Sequence, residues 1–134
     1  MVTWDAETHG VGIAEIDLQH RRLVEIINQL EAALQAGAEA RTLRDLLDML
    51  IQFTEFHFFT EEHYMRRHGF PDEAPHREGH HHLVDQLLAL RAEFANTGKN
   101  EARNTIGFLR DWLLDHIVNA DKELGAFLQV QGVR

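Results

Sequence analysis

Residues 53–61 read Phe53-Thr54-Glu55-Phe56-His57-Phe58-Phe59-Thr60-Glu61, and the pair that decides the reading is His57 with Glu61. A four-residue step turns an α-helix through about 400°, so the two side chains share one face about one turn apart. An imidazole and a carboxylate placed that way can hold a metal ion from a single helix. The same spacing also serves an ordinary histidine–glutamate hydrogen bond, so the pair alone decides nothing. Phe53, Phe56, Phe58 and Phe59 are expected to surround it with apolar bulk. The deciding question is whether other helices bring matching groups to it.

The stretch falls in a helix expected from about Thr42 to His68, with Leu43, Leu46, Leu50, Phe53, His57 and Glu61 facing inward. Gly69 and Pro71 end it. Before it, Asp17 is expected to cap a helix whose inward stripe is Ile16, His20, Leu23, Ile27, Leu30 and Leu34, closing at Gly37. After it, Asp72 as cap and Pro75 in the first turn introduce a third helix. Its stripe is His76, His80, Leu83, Leu87, Leu90 and Phe94, closing at Asn96-Thr97-Gly98. The fourth is expected from near Asn100, with Ala102, Ile106, Leu109, Leu113, His116, Ala120, Leu124 and Phe127 inward. Steps of four and three mark helices that face a shared core. The expected fold is all-α, an up-down-up-down four-helix bundle over residues 17–130. An irregular arm over residues 1–16, broken by Gly10 and Gly12 and anchored by Trp4, precedes it; 1–134 is read as a single domain.

Composition narrows the function. The 134 residues carry a formal charge of −9 and no basic cluster, which argues against nucleic acid and anionic membrane surfaces as partners. No apolar run has the length of a membrane span, and Met1-Val2-Thr3-Trp4-Asp5 does not have the form of a signal peptide. A cytoplasmic protein is expected. Cysteine is absent, which excludes disulfides, iron–sulfur clusters, thiolate zinc sites and a cysteine nucleophile. The ten histidines are left as the conspicuous donors.

His20 lies near the start of the first expected helix, and His57 and Glu61 near the end of the second. His76 and His80 open the third, and His116 with Asp121 falls late in the fourth. In an up-down-up-down bundle these places share one end. Inward imidazoles and carboxylates need partners, because unpaired burial costs several kcal/mol. One shared metal site would serve all of them. Only His76 and His80 are four apart in the third helix; His81 and His82 turn about 100° and 200° from the His80 face and are read as solvated. His63 and His68 are out of step with His57 and are read as surface or loop residues, His9 lies in the arm, and Glu62 ranks behind Glu61. Asp121 stays open. It is five residues past His116, so it is either a surface aspartate beside Lys122 or a ligand brought into line by a π-type turn. Nitrogen and oxygen donors without thiolate, enough for two ions, suit iron or manganese before zinc, and suit calcium or magnesium poorly.

Taken in order, Trp4, Ile16-Asp17-Leu18-Gln19-His20, His57 with Glu61, His76 with His80, and Asp111-Trp112-Leu113 leading to His116 and Asp121 resemble the hemerythrin family, in particular its small bacterial members. The resemblance covers nearly the whole chain, and the five-residue His116–Asp121 step is the family's own. It implies a non-haem centre of two iron ions. His76, His80 and His116 would fill one iron, His20 and His57 would bind the other and leave it an open position, and Glu61 and Asp121 would bridge with an oxo or hydroxo group. Dioxygen would bind end-on at the open iron, and the protein would act as oxygen carrier, store or sensor rather than as an enzyme. Leu113, one turn before His116, is either a wall of the oxygen pocket or ordinary core. The competing readings are a di-iron enzyme acting on peroxide or nitric oxide, and a metal store or metal-responsive interaction module.

Overall fold

Apolar residues recurring every three or four positions make each helix sticky along one stripe, and the folded chain lays those stripes against one another. The structure is a computed structural model that describes residues 1–94 and 99–134, and of residues 99–102 the backbone course alone. A short helix α1 (Ala6–His9) precedes the long helices α2 (Ala14–Gln35), α3 (Ala40–His68), α4 (Glu73–Glu93) and α5 (Lys99–His116). A π-helical turn at Ile117–Asp121 joins α5 to α6 (Lys122–Val130), and no strand occurs among the described residues. α2 packs on α3, α3 on α4, α4 on α5, and α5 closes the ring against α2. Successive neighbours in that order make the four-helix bundle. The expected close of the third helix at Asn96-Thr97-Gly98, and the side chain of Ala102, lie outside the described residues.

The ends of the helices differ from expectation in instructive ways. α2 begins at Ala14, with Ile13 in the cap position and no side-chain cap. Asp17 therefore stands inside the first turn, and its carboxylate accepts the Val11 N–H at 2.8 Å and the Gly12 N–H at 3.2 Å. It ties the arm to the positive end of the helix instead of capping it. The arm is also not irregular throughout. Asp5 caps α1 by accepting the Glu7 N–H, and His9 Nδ1 accepts the Asp5 N–H at 2.9 Å. Asp72 stands at the start of α4 but makes no capping bond. Gly69 ends α3 at φ 67°, a left-handed conformation that side chains other than glycine's resist.

Two apolar clusters fill the bundle. The larger runs from Leu34, Leu43 and Leu90 up to Leu23, Phe58, Leu83, Leu113 and Ile117. The smaller, of Val11, Ile13, Ile16, Met65, Phe70, Leu124 and Leu128, is assembled where the arm crosses α6. Gly125 permits that crossing, since a Cβ there would stand 2.2 Å from the Val11 carbonyl oxygen. The phenylalanines of the opening stretch divide. Phe58 is buried and Phe53 packs at the core's margin, whereas Phe56 and Phe59 are 54% and 65% exposed. α3 packs between α2 and α4, so its inward face is broad and takes in Leu47, Ile51, Thr54 and Phe58.

Candidate metal centre

Between the two apolar clusters lies one polar layer. His20 of α2, His57 and Glu61 of α3, His76 and His80 of α4, His116 of α5 and Asp121 of the π turn are all buried in it. Apolar residues continue the stripes about one turn away: Ile16 and Leu23 flank His20, and Met65 follows Glu61. The end of the bundle where these residues meet is thus closed by the arm and α6. The π turn answers the question that helical period left open. Its wider winding brings Asp121 onto the same face as His116, and Asp121 Oδ1 lies 3.2 Å from His116 Nε2.

The five Nε2 atoms divide between the oxygens of the two carboxylates. His57 Nε2 is 2.8 Å from Glu61 Oε2, while His20 Nε2 is 3.3 Å from that oxygen and 2.9 Å from Asp121 Oδ2. On the other side, His76 and His80 present Nε2 3.0 Å from Glu61 Oε1. His76 and His116 present theirs 3.1 and 3.2 Å from Asp121 Oδ1. Each carboxylate therefore offers one oxygen to a two-histidine group and the other to a three-histidine group. Both groups have donor atoms within 4.8 Å of one another, which is metal-binding geometry: His20, His57, Glu61 and Asp121 in one, Glu61, His76, His80, His116 and Asp121 in the other.

Protein atoms alone do not satisfy this layer. His57 Nε2, His80 Nε2, His116 Nε2 and both Asp121 oxygens are buried without a well-aligned hydrogen bond, despite their short separations. Atoms that approach closely without pointing at one another are aimed at something between them. Ligand atoms adjacent in an octahedral shell with bonds of roughly 2.1 Å stand about 3 Å apart, the spacing found here. The donor set fits two ions of the harder first-row transition metals.

Electrostatics keeps the two carboxylates ionised and couples them to the imidazoles around them. Burial works against a charge on His20, but Asp121 and Glu61 outweigh it and lift the imidazole to about 9. The same balance lifts His76 to about 10 and raises His80, which is also bonded to Glu62. At His57 burial wins over Glu61, and the ring is pushed down. Burial also opposes ionisation of Glu61 and Asp121, yet the facing imidazoles hold both carboxyls below their usual range. The two bridging candidates are thus kept as anions, the form a cation needs.

The layer has an outer ring of contacts. Gln19 Oε1 lies 2.7 Å from His57 Nδ1, and Glu62 Oε2 lies 3.4 Å from His80 Nδ1. Phe58 stacks on His80 with ring centroids 3.7 Å apart, and Trp112 stacks on His116 at 4.9 Å. Trp4 reaches from the arm to within 6.2 Å of His20, as its expected anchoring role requires. Leu113 is buried one turn before His116 and lines an apolar cavity of about 20 Å³ with Ile27, Leu50, Thr54, Leu83 and Leu87. Of the other histidines, His63, His81 and His82 are exposed, while His9 and His68 are half-buried. Gln19 and Glu62 are the polar contacts that helical period misses. Gln19 is turned about 100° from the His20 stripe, so its role appears only when α2 and α3 are set in register.

Known proteins bear on this geometry. The Hemerythrin HHE cation binding domain family matches residues 11–128. The bacteriohemerythrin of Methylococcus capsulatus is 33% identical over 129 residues, covering 96% of this chain and 97% of that protein. That of Pseudomonas aeruginosa is 34% identical over 112 residues, covering 84% and 72%. A hemerythrin-like protein of Naegleria gruberi is 32% identical over 118 residues, covering 88% and 86%. The crystal structure of wild-type hemerythrin superposes with a TM-score of 0.86 at 32% identity, covering 96% of this chain and 98% of that one. With the family model matched over residues 11–128 and the fold matched over most of its length, the chain belongs to the hemerythrin family.

Proposed function

We propose that this protein binds dioxygen reversibly at a non-haem di-iron centre held by His20, His57, Glu61, His76, His80, His116 and Asp121, as a carrier, store or sensor. The observation that carries the reading is the division of five Nε2 atoms, two and three, over the opposite oxygens of Glu61 and Asp121. Two ferrous ions bound there would supply the electrons and the open coordination position that dioxygen requires.

The chain's own residues favour binding over onward chemistry. Five imidazoles against two carboxylates make the layer less anionic than the glutamate-rich di-iron sites of other bundles, which stabilises the ferrous state. The two-histidine side has one nitrogen fewer and so leaves room for a small ligand. Leu23, Leu113 and Ile117 border the layer and keep water from it. Gln19, the polar side chain on His57, directs its amide N–H at Thr60 Oγ1 and is no acid, so it supplies no proton to break an O–O bond. Among the described residues no helix is long and apolar enough to cross a membrane, in keeping with a protein that meets its ligand in solution.

The test is an optical cycle on the iron-loaded protein. Anaerobically reduced protein should gain a visible absorption on exposure to air and lose it when oxygen is removed. A one-way change to an oxidised spectrum, or turnover of peroxide or nitric oxide in its place, would replace the binding reading with an enzymatic one.

A further inference from the structure

The imidazoles of the polar layer are not held alike from outside: the one outer nitrogen that is hydrogen-bonded on each side meets an amide on the two-histidine side and a carboxylate on the three-histidine side. On α3, Thr60 Oγ1 donates to the Phe56 carbonyl at 3.2 Å, the back-bonding habit of a helical threonine. Its proton thus committed, the hydroxyl accepts from Gln19 Nε2 at 3.2 Å. That sets the orientation of the Gln19 amide and turns Oε1 to His57 Nδ1 at 2.7 Å. A carbonyl oxygen can only accept, so His57 carries its proton on Nδ1 and presents a lone pair on Nε2. A backbone carbonyl therefore dictates, through two side chains, that the His57 nitrogen facing the layer is the unprotonated one. On the three-histidine side the corresponding acceptor is the carboxylate of Glu62, on His80 Nδ1. His20 Nδ1 is buried with no protein partner of its own.

We infer that Gln19 is a positioning residue that fixes the Nε2 donor of His57 through a neutral acceptor and thereby makes the two-histidine metal the harder of the two to oxidise. The inference rests on the two-metal reading above. An outer carboxylate raises the basicity of the imidazole it binds and so favours the higher oxidation state of the metal; an amide orients the ring without doing so. The three-histidine side has the carboxylate. The two-histidine side, where the proposed open position lies, has the amide. Gln19 is itself 7% exposed, so solvent cannot readily take its place as the acceptor.

The test compares wild type with Gln19→Leu and Gln19→Glu. In the metal-free protein, nitrogen NMR of the His57 ring should report a proton on Nδ1 in wild type and in Gln19→Glu, and mixed tautomers in Gln19→Leu. Zinc, titrated against a competing chelator, should fill two sites in wild type. The weaker of these should loosen roughly 10–100-fold in Gln19→Leu and recover in Gln19→Glu. In the iron-loaded protein, Gln19→Glu should lower the reduction potential of one iron while leaving the other unmoved. Wild type that takes up fewer than two zinc ions overturns the two-metal reading. Wild type with two sites, whose Gln19→Leu variant binds both as tightly with an unaltered His57 spectrum, overturns the inference alone. Where Gln19→Leu folds poorly, Gln19→Glu decides, and an unmoved potential there is also contrary.

Discussion

On one side of the polar layer, His20 and His57 come from α2 and α3; on the other, His76, His80 and His116 come from α4 and α5. The three-histidine side is only partly local, since its two pairs meet where α4 packs on α5. His76 and His80 are placed by one turn of a single helix, and His116 and Asp121 by one π turn. The two-histidine side depends on how α2 sits against α3, because its donors are 37 residues apart in sequence and its outer hydrogen bond, Gln19 to His57, crosses the same seam. Glu61 touches both sides, with Oε2 toward His20 and His57 and Oε1 toward His76 and His80. The lesson is a division of labour. On the proposed reading, the filled position draws on two local pairs, and the open one on groups that meet across the α2–α3 seam.

Removing what the two sides share should have the largest effect. Glu61→Ala strips one oxygen from each group, so both metals should be lost and the melting temperature should fall by roughly 10 °C or more relative to the loaded protein. Metal analysis with a thermal melt checks this; a variant that retains two ions would mean the sides do not share a bridge. His57→Ala attacks one side only. It should lose one metal and all reversible oxygen absorption while the three-histidine side keeps its ion, measured as iron per chain. A His57→Ala variant that loses both ions, or that keeps the reversible oxygen absorption, would erase the asymmetry.

Leu113→Ala leaves the donors alone and enlarges the apolar cavity beside them. It should cost about 2–5 kcal/mol of stability, keep both irons, and hasten decay of the oxygenated spectrum severalfold as water gains entry. His81→Ala is the smallest change. The side chain is exposed and one step past His80, so stability should move by no more than about 0.5 kcal/mol, with iron content unchanged. Iron lost from His81→Ala and kept in His80→Ala would mean that α4 is registered wrongly by one residue.

Helical period made the bundle and the inward stripes legible, because burial repeats with the turn of the helix whatever the partner. It sorted His76 and His80 from His81 and His82 for the same reason. It was silent where the outcome depends on a second helix or a local departure from α geometry. Phe56 and Phe59 look like core in the quoted stretch, yet α3 turns them outward to present Phe58 to His80. Asp17 reads as a cap, but with α2 starting at Ala14 its carboxylate meets loop N–H groups instead. Gln19 stands in the Ile16–His20 motif with no role until Thr60 and His57 face it across the seam. For Asp121, period alone left two answers open, and only the π turn decides where the carboxylate points.

The central claim is that the layer holds two iron ions, unequally ligated, between one pair of carboxylates. Anomalous X-ray diffraction at the iron edge on crystals of iron-loaded protein addresses it directly. Two peaks should appear, one bounded by His20 and His57 and the other by His76, His80 and His116, both in contact with Glu61 and Asp121. A single peak, or a signal that belongs to zinc after iron-replete expression, would contradict it.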